Sequence, residues 1–209
     1  FSEQAQACAE RYMGWTDLAS NPPYPLADIQ AFADSIIEQG LKTVVLIGQG
    51  GSTQAPMTIT KYNKPDSSKI TFKTLDSDSP VRVRAILAEA KPETTLFVIS
   101  SKSGGTIEPR LALRAVRDAV ADRISEEELV QHLVAITDPG SMLERQAREE
   151  GWAAVFSGQP TVGGRFSALS VFGLLPAALV GIDLEEFMAH AIDAERQCSE
   201  DAIDNPAIG

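Results

Sequence analysis

The chain has 209 residues, 44% hydrophobic and 22% charged, ordinary globular proportions with enough length to bury a core without disulfides or metals. Its formal net charge of −11 excludes a nucleic-acid backbone or an anionic membrane surface as partner, because both require a basic face. It does not exclude a phosphate group, which a few backbone N–H groups and one or two cations can hold locally.

The segment 2–13, rich in Ala, Glu and Gln, predicts a helix that Asn21-Pro22-Pro23-Tyr24-Pro25 brings to a break. From 26 to 39, Ile29, Phe32, Ala33, Ile36 and Ile37 recur at three- and four-residue spacing, which predicts an amphipathic helix ended by Gly40. The pattern then changes. Thr43-Val44-Val45-Leu46-Ile47 is a short β-branched run that stops at a glycine and reads as a strand buried on both faces. Similar runs follow at 70–75, 96–100, 133–136 and 153–156. Helical patterns separate them at 54–62, 81–90, 107–121, 126–131 and 142–149. This alternation predicts an α/β fold: three layers, with a five-stranded parallel sheet of flavodoxin-like topology and helices on both faces. Beyond Val162 the pattern is apolar and helical, then amphipathic from 184 to about 200. Asp204-Asn205-Pro206-Ala207 breaks it.

Cys8 and Cys198 are far apart, with no CxxC and no Cys/His cluster. That predicts two plain thiols in a reducing cytoplasm, with no metal site and no disulfide. The longest apolar run, 168–182, is interrupted by Ser170, Gly173 and Pro176 and is too short for a comfortable membrane span. No signal-peptide pattern is visible, and Phe1 is not a natural start, so residues upstream are expected.

Ligands of open parallel sheets bind beyond the carboxyl ends of the strands, where strand order reverses. For the order 2-1-3-4-5 the reversal falls between strands one and three, and the two most unusual loops follow those strands. The first is Gly48-Gln49-Gly50-Gly51-Ser52, whose glycines let the backbone approach a ligand. Ser52 is placed either to cap the next helix or to touch substrate. The spacing is neither GxGxxG with a following acid nor GxxxxGK[ST], so a dinucleotide or nucleoside triphosphate is disfavoured. The second loop, Ser101-Lys102-Ser103-Gly104-Gly105-Thr106, sets three hydroxyls, two glycines and a lysine at a helix N-terminus. Free N–H groups and the positive end of the helix dipole suit a phosphate dianion there. Ser101, Ser103 and Thr106 can donate to it while Gly104 and Gly105 let the loop curl; a loop lysine such as Lys102 more usually faces solvent. A third loop, Val162-Gly163-Gly164-Arg165-Phe166-Ser167, delivers an arginine to an apolar helix. That arginine either faces an anionic ligand or makes a structural ion pair. Ser167 reads equally well as a helix cap. His132, before the fourth strand, and His190, on an exposed helix face, read as structural and surface residues. Glu108 fits the first turn of a helix for dipole reasons alone.

Together these loops resemble the glucose-6-phosphate isomerase family, within the wider class of sugar isomerase (SIS) domains, over roughly residues 40–209. Ser101-x-Ser103-Gly104-x-Thr106 is similar to the SIS phosphosugar loop. Gly48-x-Gly50-Gly51-Ser52 with Pro56 resembles the isomerase's first glycine loop. Val162-Gly163-Gly164-Arg165-Phe166-Ser167-x-x-Ser170-x-x-Gly173 resembles its signature. The resemblance implies interconversion of glucose 6-phosphate and fructose 6-phosphate in glycolysis and gluconeogenesis, with no cofactor and no metal. It implies that Ser101, Ser103 and Thr106 hold the phosphate, with Lys102, Gly104 and Gly105 in the same loop. Gly51, Ser52 and Gly164 would line the sugar site. Arg165 would be catalytic, stabilising the negative charge of an enediol(ate).

Two departures stand out: Ser-Lys-Ser-Gly-Gly-Thr is closer to the general SIS form than to the isomerase's own, and Pro160 stands where a polar residue is expected. The family's glutamate base, ring-opening histidine and C-terminal lysine belong to a second SIS domain, expected beyond Gly209. The expected organisation is thus a helical segment 1–40, a phosphosugar-binding SIS domain 41–182, and a helical linker 183–209. The family's sites are built with a neighbouring subunit, which implies a homodimer. Two other readings share the fold: a non-catalytic SIS module that senses a phosphosugar, which has no evident need of Gly163-Gly164-Arg165, and a dinucleotide- or flavin-binding domain, whose motifs are missing.

Overall fold

The structure, a computed structural model, describes residues 2–200, 205 and 206. Of the break expected at Asp204-Asn205-Pro206-Ala207, Asp204 and Ala207 lie outside the described residues. Five parallel strands pair in the order β2-β1-β3-β4-β5: β1 Thr43–Gly48, β2 Thr71–Leu75, β3 Thr95–Ser100, β4 Leu133–Thr137 and β5 Ala154–Ser157. The sequence reversal between β1 and β3 is therefore present. Val44 pairs with Phe72 on one side and Leu96 on the other, and Phe97 with Leu133.

The central strands are buried on both faces, so their side chains divide by parity. Val44, Leu46, Leu96, Val98, Val134 and Ile136 face one layer; Val45, Ile47, Phe97, Ile99, Leu133 and Ala135 face the other. The first layer is built from α2 Leu26–Glu38, α3 Gly51–Asn63, α8 Val171–Leu179 and α9 Leu184–Cys198. The second holds α4 Pro80–Glu89, α5 Ile107–Val120, α6 Glu126–Leu129 and α7 Met142–Glu149. Each fully buried Leu or Ile contributes about 1.5–3 kcal/mol, so these two clusters dominate the stability. Ile29 and Ala33 of α2 and Leu184 and Met188 of α9 belong to the same cluster as β1 and β3. Helices α2 and α9 therefore pack into the cluster that covers this face of the sheet.

The first helix, α1 Glu3–Tyr12, buries no residue. Beyond it the chain returns to the body: Met13 forms an antiparallel bridge with Val162, and Trp15 stacks on Phe166 with ring centroids 4.7 Å apart. The apolar stretch after Val162 differs from a single helix. Gly164–Leu169 is a separate 3-10 turn, and α8 starts only at Val171. The Ser170 hydroxyl accepts from the Phe172 N–H at 3.3 Å and so caps α8, whereas the Ser167 hydroxyl donates to the Gly164 carbonyl at 2.8 Å. Ser167 thus braces the turn that holds Arg165 instead of capping the helix.

Candidate functional site

A cleft of about 380 Å³ opens where β1 and β3 end, lined by Gln49, Gly51, Ser52, Ser100, Ser101, Lys102, Ser103, Thr106, Pro109, Asp138 and Gly164. Its size suits a small polar ligand. A larger groove of about 610 Å³ runs between the later half of α3 and the edge strand β2, past Met57, Lys61, Lys64 and Phe72. No helix N-terminus opens into that groove, so the smaller cleft is the better candidate.

The glycines of the first loop bring it against the third. A Cβ on Gly51 would overlap the Gly164 carbonyl oxygen and come within 3.0 Å of the Arg165 N–H nitrogen. Only glycine permits that approach, and it sets Gly164 in the cleft wall with Arg165 next in sequence. Ser52, buried at 8% exposure, lies in the first turn of α3, whose N-cap is Gly50. No side chain caps α3, so of the two roles open to Ser52, capping is not the one adopted.

In the second loop, Gly104 adopts φ +64° and touches Ser141 so closely that a Cβ there would stand 2.8 Å from the Ser141 side chain. The Gly104 N–H donates to the Ser101 carbonyl at 3.1 Å, which closes the turn. The Ser101 hydroxyl donates to Thr106 Oγ1 at 3.4 Å, and the Ser103 hydroxyl accepts from the Gly105 N–H at 3.3 Å. Thr106 is the N-cap residue of α5, yet no side chain caps the helix. The N–H groups of Ile107 and Glu108, with the positive end of the dipole, are left to solvent or ligand.

Lys102 does not extend into solvent. Its ammonium is paired with Asp138 and also donates to the Gln159 carbonyl at 3.1 Å and the Pro160 carbonyl at 3.3 Å. Arg165, by contrast, is exposed and makes no ion pair with any described residue. The cleft thus gathers Gly51, Ser52, Ser101, Lys102, Ser103, Thr106 and Gly164, with Gly104 and Gly105 in the same loop. Arg165 adjoins this set through Gly164 but is not in the lining. His132 is half-buried at the end of a 3-10 turn, His190 is exposed on α9, and Glu108 stays outside the lining.

Sequence reasoning missed Gln49, Ser100, Pro109 and, above all, Asp138. The signal for Asp138 was available: it follows β4 directly, one strand from the reversal, in the crevice where ligands collect.

Comparison with known proteins bears on this site. A model described as phosphoglucose isomerase matches residues 34–205. The chain is 42% identical over 152 residues to the glucose-6-phosphate isomerase of Synechococcus sp. (strain JA-3-3Ab), covering 72% of this chain and 28% of that protein. It is 35% identical over 195 residues to glucose-6-phosphate isomerase 1, chloroplastic, of Arabidopsis thaliana, covering 87% of this chain and 32% of the other. Among solved structures, a glucose-6-phosphate isomerase from Chlamydia trachomatis superposes with TM-score 0.71 at 26% identity, over 95% of this chain and 36% of that one. A hypothetical protein from Thermus thermophilus superposes with TM-score 0.81 at 32% identity, over 90% and 44%. The chain therefore spans about a third of the length of the curated relatives it matches. With the family model covering most of its residues, and its loops gathered at the crevice where the sheet reverses, the chain belongs to the phosphoglucose isomerase family.

Proposed function

We propose that this chain is the phosphosugar-binding part of a glucose-6-phosphate isomerase, which interconverts glucose 6-phosphate and fructose 6-phosphate. The observation that carries the reading is the uncapped N-terminus of α5, faced by the hydroxyls of Ser101, Ser103 and Thr106 at the cleft. A phosphate dianion accepts from such groups, and the helix dipole adds to the attraction. Gly51, Ser52 and Gly164 line the sugar end, and Gly104 and Gly105 shape the phosphate end.

The reaction moves a proton between C2 and C1 through an enediol(ate) and needs a base. Asp138 is the only carboxylate in the cleft lining, and it is committed to Lys102. The base is therefore supplied by groups outside these lining residues, and the isolated 209 residues are expected to bind without turnover. Arg165, without an ion pair to any described residue and next to the cleft wall, is the group proposed to stabilise the enediolate oxygen; a donor held at such an oxygen contributes about 3–4 kcal/mol. We assign no cofactor and no nucleic-acid partner, and a homodimer for the intact protein. No described helix is long and apolar enough to cross a membrane. Two exposed unpaired cysteines fit a reducing compartment, for which the cytoplasm is proposed.

Calorimetric titration with fructose 6-phosphate or 6-phosphogluconate tests the reading, on this chain and on the intact protein. Binding that weakens in Ser103→Ala and in Thr106→Ala is expected. Absence of binding by the intact protein refutes the proposal.

A further inference from the structure

An ammonium has three N–H groups to donate, and those of Lys102 are all engaged within the protein. One meets Asp138, one the Gln159 carbonyl at 3.1 Å and one the Pro160 carbonyl at 3.3 Å. The backbone of the same residue is also held. Its carbonyl accepts from the Asp138 N–H at 2.9 Å and from the Thr137 hydroxyl at 3.3 Å. Lys102 thus joins three loops, those after β3, β4 and β5. The two carbonyls it grips lie just ahead of Gly163, Gly164 and Arg165.

We infer that Lys102 and Asp138 are positioning residues: together they clamp the segment after β5, so that Gly164 and Arg165 stand beside the phosphate loop, and Lys102 does not itself bind phosphate. This rests on the phosphosugar isomerase reading and alters one part of it, since Lys102 sits in the loop that the phosphate occupies. Asp138 is suited to the task. Its side chain is 20% exposed, its Oδ2 holds the ammonium, and its buried Oδ1 lies beside Gly158, at the start of the clamped segment. The pair is neutral as a unit, so it adds little net field to the cleft. Phosphate selection then falls to the hydroxyls and the N-terminus of α5. The clamp acts on geometry instead, where small displacements of a catalytic group are costly.

The test uses the intact natural protein with Lys102→Met and Asp138→Asn, each assayed for turnover of fructose 6-phosphate and for inhibition by inorganic phosphate. A catalytic group displaced by about 1 Å loses on the order of 10- to 100-fold in kcat, and that loss is expected in both variants. The inhibition constant for phosphate is expected to move by less than about twofold, because the phosphate donors are untouched. The double variant is expected to be no slower than the poorer single one, as for two members of one unit. Asp138→Asn keeps the side-chain shape, and thermal melts of both variants separate misplacement from unfolding. Phosphate inhibition weakened about tenfold or more by Lys102→Met, but not by Asp138→Asn, would make Lys102 a phosphate ligand and overturn the clamp. Unaltered turnover in Lys102→Met would overturn it as well. If the unsubstituted protein neither binds phosphate nor turns over the sugar, the isomerase reading itself has failed, and the clamp falls with it.

Discussion

The loops after β3 and β4 are neighbours that begin alike and finish differently. Each leaves a central strand, passes through a glycine and reaches a hydroxyl residue at the N-cap of a helix. In the β4 loop the hydroxyl does its local work. Ser141 accepts from the Glu144 N–H at 3.0 Å, Glu144 accepts in turn from the Gly140 N–H, and Thr137 and Ser141 share a 2.8 Å hydrogen bond. This is a close variant of the capping box, and its polar groups satisfy one another. In the β3 loop the N-cap hydroxyl of Thr106 caps nothing. Pro109 occupies the position that the reciprocal Glu144 holds in α7, so no side chain can reach back. The β4 loop satisfies its own donors, whereas the β3 loop, with more hydroxyls, leaves the donors of its helix open, which supports the phosphate-binding role proposed for it.

The comparison is most severely tested by removing the open donors. Ser103→Ala combined with Thr106→Ala is expected to weaken phosphate-sugar binding roughly 100-fold, since hydrogen bonds to a charged group contribute about 1.5–3 kcal/mol each. Calorimetry reads that loss, while urea unfolding is expected to shift by less than about 0.5 kcal/mol because neither hydroxyl caps a helix. A large stability loss with intact binding would reverse the roles given to the two loops. Gly51→Ala comes next. Its methyl would collide with the Gly164 carbonyl, and overpacking of this kind costs about 1–3 kcal/mol. Lower stability together with weaker sugar binding is the expected pair of readouts.

Ser141→Ala is expected to produce the opposite pattern to the double variant. Loss of the cap costs about 1 kcal/mol of unfolding free energy, and phosphate binding is unchanged. The smallest effect concerns acid stability. The Gly140 N–H, and after it the Arg148 guanidinium, hold the Glu144 carboxyl below its ordinary pKa. A carboxyl depressed in the folded state stabilises above its unfolded pKa, and that stability is lost as pH falls through the folded value. Glu144→Gln is therefore expected to flatten the acid limb of the unfolding curve between those two values. An unchanged limb would remove Glu144 from the capping arrangement.

Much of the fold could be read along the chain. The five β-branched runs became five strands, each within about a residue or two at either end. The order expected for such an alternation, 2-1-3-4-5, is the one found, with the reversal between β1 and β3 that places the cleft. Helix α7 was expected at 142–149 and is found at Met142–Glu149. These signals are local: parity, three- and four-residue spacing, and glycine or proline punctuation. The stretch after Val162 was less legible, because a continuous apolar run does not disclose that Ser170 begins a new helix while Ser167 folds back on Gly164.

What the sequence by itself determined was the alternation of elements, the parallel sheet, the position of the crevice and the chemistry available in each loop. Those follow from periodicity and residue type within a few positions. What only the tertiary structure decided was how that chemistry is used. The partners of Lys102 lie 36, 57 and 58 positions away, and Trp15 meets Phe166 across most of the chain. Local pattern cannot specify such pairings, because they depend on where the folded sheet brings the ends of separate strands.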